Sequence, residues 1–126
     1  MVLDDHPAFR KSLRNLMSRY EFIQVTGEAG SAEEALKAVE EQPPHLTIVD
    51  VHLKGMSGFD FARIVKQRFP KTQIVLISLY DHSSHVTEAA NLGFPYVPKG
   101  ALIEKLPPVL EDVRKKMEAN SNKAKK

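Results

Sequence analysis

No cysteine occurs among the 126 residues. That excludes disulfides, thiolate metal centres and a cysteine nucleophile, and it leaves the compartment open. No apolar run reaches the roughly eighteen residues that would suggest a membrane span, and no signal-peptide pattern opens the chain. Neither insertion nor secretion is expected, and the expected location is cytoplasmic. Charge of one sign is scarce too, because the formal net charge of +2 is too small to argue for nucleic-acid binding. Much of the surplus lies in Lys115, Lys116, Lys123, Lys125 and Lys126, which read as a solvated helix end and a frayed tail. Internal repeats and linker-like stretches are also missing. The expectation is one domain over residues 1–118, with 119–126 as a basic disordered tail or the start of a linker.

What is present is ordinary globular material, 42% hydrophobic and 27% charged, in a chain long enough to bury one core. The first strand candidate, Val2-Leu3-Asp4-Asp5, is short. Pro7 suits the first turn of a helix, and Phe9, Leu13, Leu16, Met17 and Tyr20 follow at helical spacing with Arg10, Lys11 and Arg14 opposite. Phe22–Gly27 reads as a second strand. Ser31 with Glu34 forms a capping box that opens a helix stopped by Pro43. Leu46-Thr47-Ile48-Val49-Asp50 is a buried-strand pattern ending in a carboxylate. A helix from Ser57 or Gly58 to Pro70 follows, then a strand Gln73–Ser78, a weakly patterned helix Ser83–Leu92 stopped by Gly93, and a short strand at Tyr96-Val97. The last helix carries Leu102, Leu106, Val109, Leu110, Val113 and Met117, with Pro107-Pro108 either starting or breaking it and Asn120 onward as tail. Strands alternating with helices call for an α/β fold, a doubly wound parallel sheet with helices on both faces.

In such a sheet the strand ends share one edge, where open α/β folds bind ligands. Asp4-Asp5, Asp50, Ser78 and Lys99 all fall there. Taken alone, a strand-end aspartate is most often a cap or turn residue. Crowded carboxylates repel unless a cation joins them. An all-oxygen set suits Mg²⁺, which takes one or two carboxylates, a backbone carbonyl and several waters. Lys99 offers a point charge and Ser78 a hydroxyl, a natural pair for phosphoryl oxygens. The set describes a site that accepts a phosphoryl group on Asp50 as nucleophile beside a metal.

These residues resemble the response-regulator receiver domain of two-component signalling over essentially the whole chain. Asp4 and Asp5 match the family's acidic pair, Asp50 its phosphorylated aspartate, Ser78 its hydroxyl, Tyr96 its switch aromatic and Lys99 its lysine. Asp4-Asp5-His6-Pro7 with Phe9-Arg10, Gly27-Glu28-Ala29 and Glu33-Glu34-Ala35-Leu36 resemble the LuxR-type subclass, whose receivers usually precede a helix-turn-helix DNA-binding domain. The resemblance implies a five-stranded, flavodoxin-like sheet of order 2-1-3-4-5 and a switch rather than a metabolic enzyme. A partner histidine kinase would phosphorylate Asp50. Mg²⁺ would be held by Asp5, Asp4, Asp50 and the backbone carbonyl of His52. Ser78 and Tyr96 would then move and repack the output face of the fourth helix, fifth strand and fifth helix. The family also leads one to expect dimerisation on phosphorylation. The short first strand and the subclass lead to the expectation of a fragment of a longer regulator, with DNA binding in a domain outside this chain.

Several positions depart from the family pattern. Leu53 and Lys54 replace a common methionine and proline, Leu79 a small residue and Gly100 a proline, and Pro95 is unusual before the switch aromatic. The loop after Asp50 is therefore expected to be looser and access to the site narrower, while the Lys99–Gly100 peptide geometry stays open. Bulky His52 and Tyr80 beside the site suggest slow loss of phosphate. The histidines His6, His45, His52, His82 and His85 read as solvated loop residues, with His82 and His85 the one pair at metal-ligand spacing. Two rival functions share these residues. A pseudo-receiver would act only by binding partners, and an Mg²⁺-dependent aspartyl-phosphate phosphatase would need His52 as general acid.

Overall fold

The computed structural model describes residues 1–79 and 83–124, with side chains at all of these except 83 and 120–124. Tyr80 and His82, both singled out above, lie outside the described residues. In chain order the elements are β1 (Val2–Leu3), α1 (Pro7–Met17), β2 (Glu28–Ala29), α2 (Ala32–Glu41), β3 (Leu46–Asp50), α3 (Gly58–Arg68), β4 (Gln73–Ser78), α4 (Ser83–Leu92), β5 (Tyr96–Pro98), a 3₁₀ turn (Lys99–Ala101) and α5 (Leu102–Ala124). The strands form one parallel sheet of order β2-β1-β3-β4-β5. The doubly wound fold with the order 2-1-3-4-5 is thus present as read from the sequence.

The sheet separates two apolar layers. Leu3, Val49 and Leu76 face α2, α3 and α4, where Val39, Phe61, Val65 and Ala89 are buried. Val2, Ile48, Val75, Ile77 and Val97 face α1 and α5, where Leu13, Met17, Leu106, Leu110 and Val113 are buried. Each fully buried Val, Leu, Ile or Phe contributes about 1.5–3 kcal/mol. β3 and β4, buried along almost their whole length, are therefore the centre of the sheet that carries Asp50 and Ser78.

Local signals account for most boundaries. Ser31 Oγ accepts the Glu34 N–H at 3.2 Å, and Glu34 reaches back to the Gly30 N–H at 3.3 Å, one residue earlier than an ideal capping box. Ser57 caps α3 in the same way through the Asp60 N–H. Gly93 ends α4 with φ of 78°, a left-handed conformation in which a side chain would be strained.

Three expectations need correction. Phe22–Gly27 is not a strand, because β1 has only two residues and they pair with Glu28 and Ala29. Phe22–Thr26 therefore has no neighbouring ladder to join, and Ile23 and Val25 instead pack against the α1/α5 layer. Residues from Asn120 do not start a tail, since α5 continues to Ala124. Pro107 and Pro108 neither start nor break α5; they lie inside it, leaving the carbonyls four residues back without their usual donors. Every described peptide bond is trans, Lys99–Gly100 included.

Gly58, the first residue of α3, lies against the strand that carries Asp50. Its N–H donates to the Val51 carbonyl at 3.0 Å. A Cβ there would sit 2.2 Å from the Asp50 carbonyl oxygen and 2.8 Å from Val51 Cα. Both contacts are backbone and cannot yield cheaply. Gly58→Ala is expected to destabilise the fold by about 1–3 kcal/mol, the usual range for overpacking, seen as a lower urea midpoint with an unchanged m-value.

Candidate functional site

The site is assembled from three strand ends. Asp4 follows β1, Asp50 closes β3, and Lys99 begins the turn after β5. Lys99 Nζ lies 2.8 Å from Asp4 Oδ2 and 3.1 Å from Asp50 Oδ2, and all three side chains are buried. The other Asp50 oxygen accepts the His52 N–H at 3.0 Å, so the loop after β3 folds back over its own aspartate. Asp4 Oδ1 similarly accepts the His6 N–H at 2.8 Å. Both carboxylates are held by main chain on one side and by a single cation on the other.

This arrangement opens into a cleft of about 360 Å³ lined by Asp5, His6, Asp50, His52, Leu53, Lys54, Leu79 and Lys99. Leu79 is 66% exposed at its rim, where the sequence had suggested narrowed access. Ser78 is fully buried at the end of β4 and does not line the cleft. Tyr96 is half-buried on β5 against the α2/α3/α4 layer, also away from the lining. The structure therefore brings Asp4, Asp5, Asp50, His52 and Lys99 together around one opening, with Ser78 and Tyr96 set back from it.

Burial dominates the electrostatics of Asp50. Desolvation raises its pKa, and the His52 N–H and the Lys99 charge pull it down without overcoming that effect. For Lys99, burial disfavours the charge, but the hydrogen bond to Asp4 and the nearby Asp50 carboxylate prevail, and its pKa lies above the ordinary lysine value. Asp50 is thus a buried, incompletely compensated carboxylate that borders the cleft. Asp4, Asp5, His6 and Asp50 each offer a ligand atom, and these atoms lie within 4.8 Å of one another. Asp5 Oδ1 is buried without a hydrogen bond. A divalent cation would satisfy that donor set, so the residues present fit one.

Sequence reasoning passed over three neighbours. Phe9 lies with its ring centroid 4.1 Å from Lys99 Nζ, a cation–π contact. Arg10, read above as polar-face filler, donates to the Asp4 carbonyl at 2.7 Å and pairs with Glu28 at 3.2 Å, tying α1 and β2 to the acidic corner. His6 approaches Asp5 at 2.9 Å and is no free loop histidine. All three fall in the run right after the acidic pair, which was the available signal. His45 lies at the opposite end of the sheet. His85, read above as a loop residue, lies on α4, its ring tilted against His52 at 4.9 Å and Phe59 at 5.8 Å.

Residues 1–110 match the family described as the response regulator receiver domain. The uncharacterized transcriptional regulatory protein YhcZ of Bacillus subtilis is 34% identical over 93 residues, 74% of this chain and 44% of that protein. Among solved structures, the signal receiver domain of the putative response regulator NarL from Mycobacterium tuberculosis is 28% identical. It superposes with a TM-score of 0.79 over 90% of this chain and 93% of that one. The isolated REC domain of RcsB from Salmonella enterica shares the fold, with a TM-score of 0.84 at 21% identity, over 90% of this chain and 86% of that one. The chain spans about half the length of the curated relatives it matches. Among the described residues, no helix is long and apolar enough to cross a membrane.

Because the folded state binds the Asp50 proton more readily than the unfolded chain does, stability falls as pH rises from the unfolded carboxylate value of about 3.9 through the raised folded value. Asp50→Asn is therefore expected to be more stable than the parent at neutral pH without divalent ions. Urea midpoints compared at neutral and strongly acidic pH should show that advantage shrink as the parent carboxyl is protonated in both states.

Proposed function

Because the chain belongs to the response-regulator receiver family, we propose that it is a signalling switch that accepts a phosphoryl group on Asp50. The observation that carries this reading is Asp50 itself, buried, paired with Lys99, and bordering a cleft shared with Asp5 and His52. A sensor histidine kinase is the proposed donor. An Asp50 carboxylate oxygen attacks phosphorus, the N–P bond to the kinase imidazole breaks, and that nitrogen leaves with the bonding pair. Lys99 then follows the negative charge from the carboxylate to the phosphoryl oxygens, and Ser78 supplies a hydroxyl donor to them.

Asp5, Asp4, Asp50 and the His52 carbonyl would hold Mg²⁺. When bound, it would neutralise the acidic corner and the charge of the incoming group. Before transfer, Lys99 is paired with both Asp4 and Asp50. Phosphorylation adds roughly −1.5 to −2 charges at this point, so Lys99 is drawn outward from Asp4, and Ser78 and Tyr96 are the proposed movers behind it. Both lie on strands that border α4 and α5, which is how the change would reach an output face and favour a homodimer. DNA binding, by analogy with the relatives' names as transcriptional regulators, would belong to a domain outside this chain. Location in the cytoplasm is part of the same proposal.

The acceptor is proposed to work stoichiometrically, with slow self-dephosphorylation at most and no turnover of phosphomonoesters. The His52 ring is engaged with His85 at 4.9 Å, which disfavours its use as the general acid of a phosphatase. Incubation with acetyl phosphate and Mg²⁺ should add one phosphoryl group by mass, and Asp50→Ala should abolish it. No uptake by the parent protein would instead support a pseudo-receiver. His52 lines the cleft and is proposed to hinder the attacking water, so His52→Ala should shorten the lifetime of the acyl phosphate several-fold. An unchanged or longer lifetime would rule that role out.

A further inference from the structure

His6 occupies the N-cap of α1, a position where side chains usually accept a helix N–H. It makes no such bond. Its ring turns instead toward the acidic corner, with Nδ1 2.9 Å from Asp5 Oδ1 and 3.3 Å from Asp4 Oδ1. The closer of these contacts lacks hydrogen-bond geometry, and Asp5 Oδ1 is left buried and unpartnered beside a ring nitrogen. Adjacent ligands of a six-coordinate ion with bonds of about 2.1 Å stand roughly 3 Å apart. The His6–Asp5 and His6–Asp4 spacings match that separation, and the Asp50 ligand atom falls within the same 4.8 Å group.

We propose that His6 is a nitrogen ligand of the cation held at this corner, and that the site prefers a divalent first-row transition ion such as Mn²⁺ to Mg²⁺. The proposal rests on the reading that Asp4, Asp5 and Asp50 bind a divalent cation at all. Mg²⁺ keeps to oxygen and water, whereas an imidazole added to carboxylates favours the transition series, whose affinities rise from Mn²⁺ toward Cu²⁺. The acidic pair thus supplies charge and His6 supplies selectivity. A histidine serving only as a hydrogen-bond partner of Asp4 would place no nitrogen on the bound ion.

The test uses the whole 126-residue chain, titrated with Mn²⁺ and, separately, Mg²⁺. Mn²⁺ is followed by loss of the free-ion EPR signal, Mg²⁺ by calorimetry, and the bound Mn²⁺ is examined for ¹⁴N coupling by electron spin echo. The His6 side chain is 69% exposed, so His6→Ala should keep the fold, which circular dichroism verifies. The expected result is ¹⁴N coupling in the parent that disappears in His6→Ala. Mn²⁺ affinity should fall on the order of tenfold, at least the loss seen when ligand-supporting groups are removed, while Mg²⁺ affinity barely changes. Binding of both ions with no ¹⁴N coupling, and with equal losses in His6→Ala, would overturn the assignment of His6 and leave the acidic site standing. Failure of the parent to bind either ion would overturn both.

Discussion

The Lys99 ammonium, 2.8 Å from Asp4 and 3.1 Å from Asp50, is the contact on which the site's geometry depends. Two buried carboxylates from different strands cannot share a corner without a cation, and removing the Lys99 charge would leave both uncompensated, a loss that typically costs 3–5 kcal/mol. The strands themselves are placed by apolar packing, which is indifferent to what their ends carry. Lys99 turns that placement into an electrostatic arrangement. It also sets how the arrangement can change. Under the proposed function, a charge arriving at Asp50 would compete with Asp4 for the same ammonium.

Much of this was legible in the sequence because β3 and β4 are mostly apolar, β-branched-rich runs that end in a polar residue. Such runs are read almost without ambiguity when Pro, Gly or charged residues bracket them. Ser31, Ser57 and Gly93 marked helix ends for local reasons that need no tertiary context, and the structure keeps each of them. The failures are equally local in origin. Phe22–Thr26 has a strand-like composition, but strand formation depends on a neighbour, and two-residue β1 offers none at that register. The end of α5 was read as tail from its polarity, although polar residues extend a helix well enough once packing has started it.

Side-chain geometry was less legible. The acidic pair, Asp50 and Lys99 could be placed on one edge by topology alone. Whether Phe9 would lie over Lys99, or Arg10 reach the Asp4 carbonyl, depends on the rotation of α1 about its axis. That rotation is decided by how Leu13 and Met17 seat against the sheet, which periodicity does not specify. His6 shows the same gap. It read as a solvated loop histidine, whereas its N–H binds the Asp4 carboxylate and its ring nitrogen lies 2.9 Å from Asp5.

The loop from Val51 to Ser57 is anchored at both ends by backbone. The Val51 N–H binds the Ile77 carbonyl, and the Gly58 N–H closes on Val51 with no room for a side chain at Gly58. Such a hoop isolates what lies between its anchors from what lies beneath them. Leu53 and Lys54 can differ from the family's usual residues without displacing the strand that bears Asp50. The mouth of the cleft can thus change its side chains without moving the strand, while its floor has no space for a Cβ at Gly58.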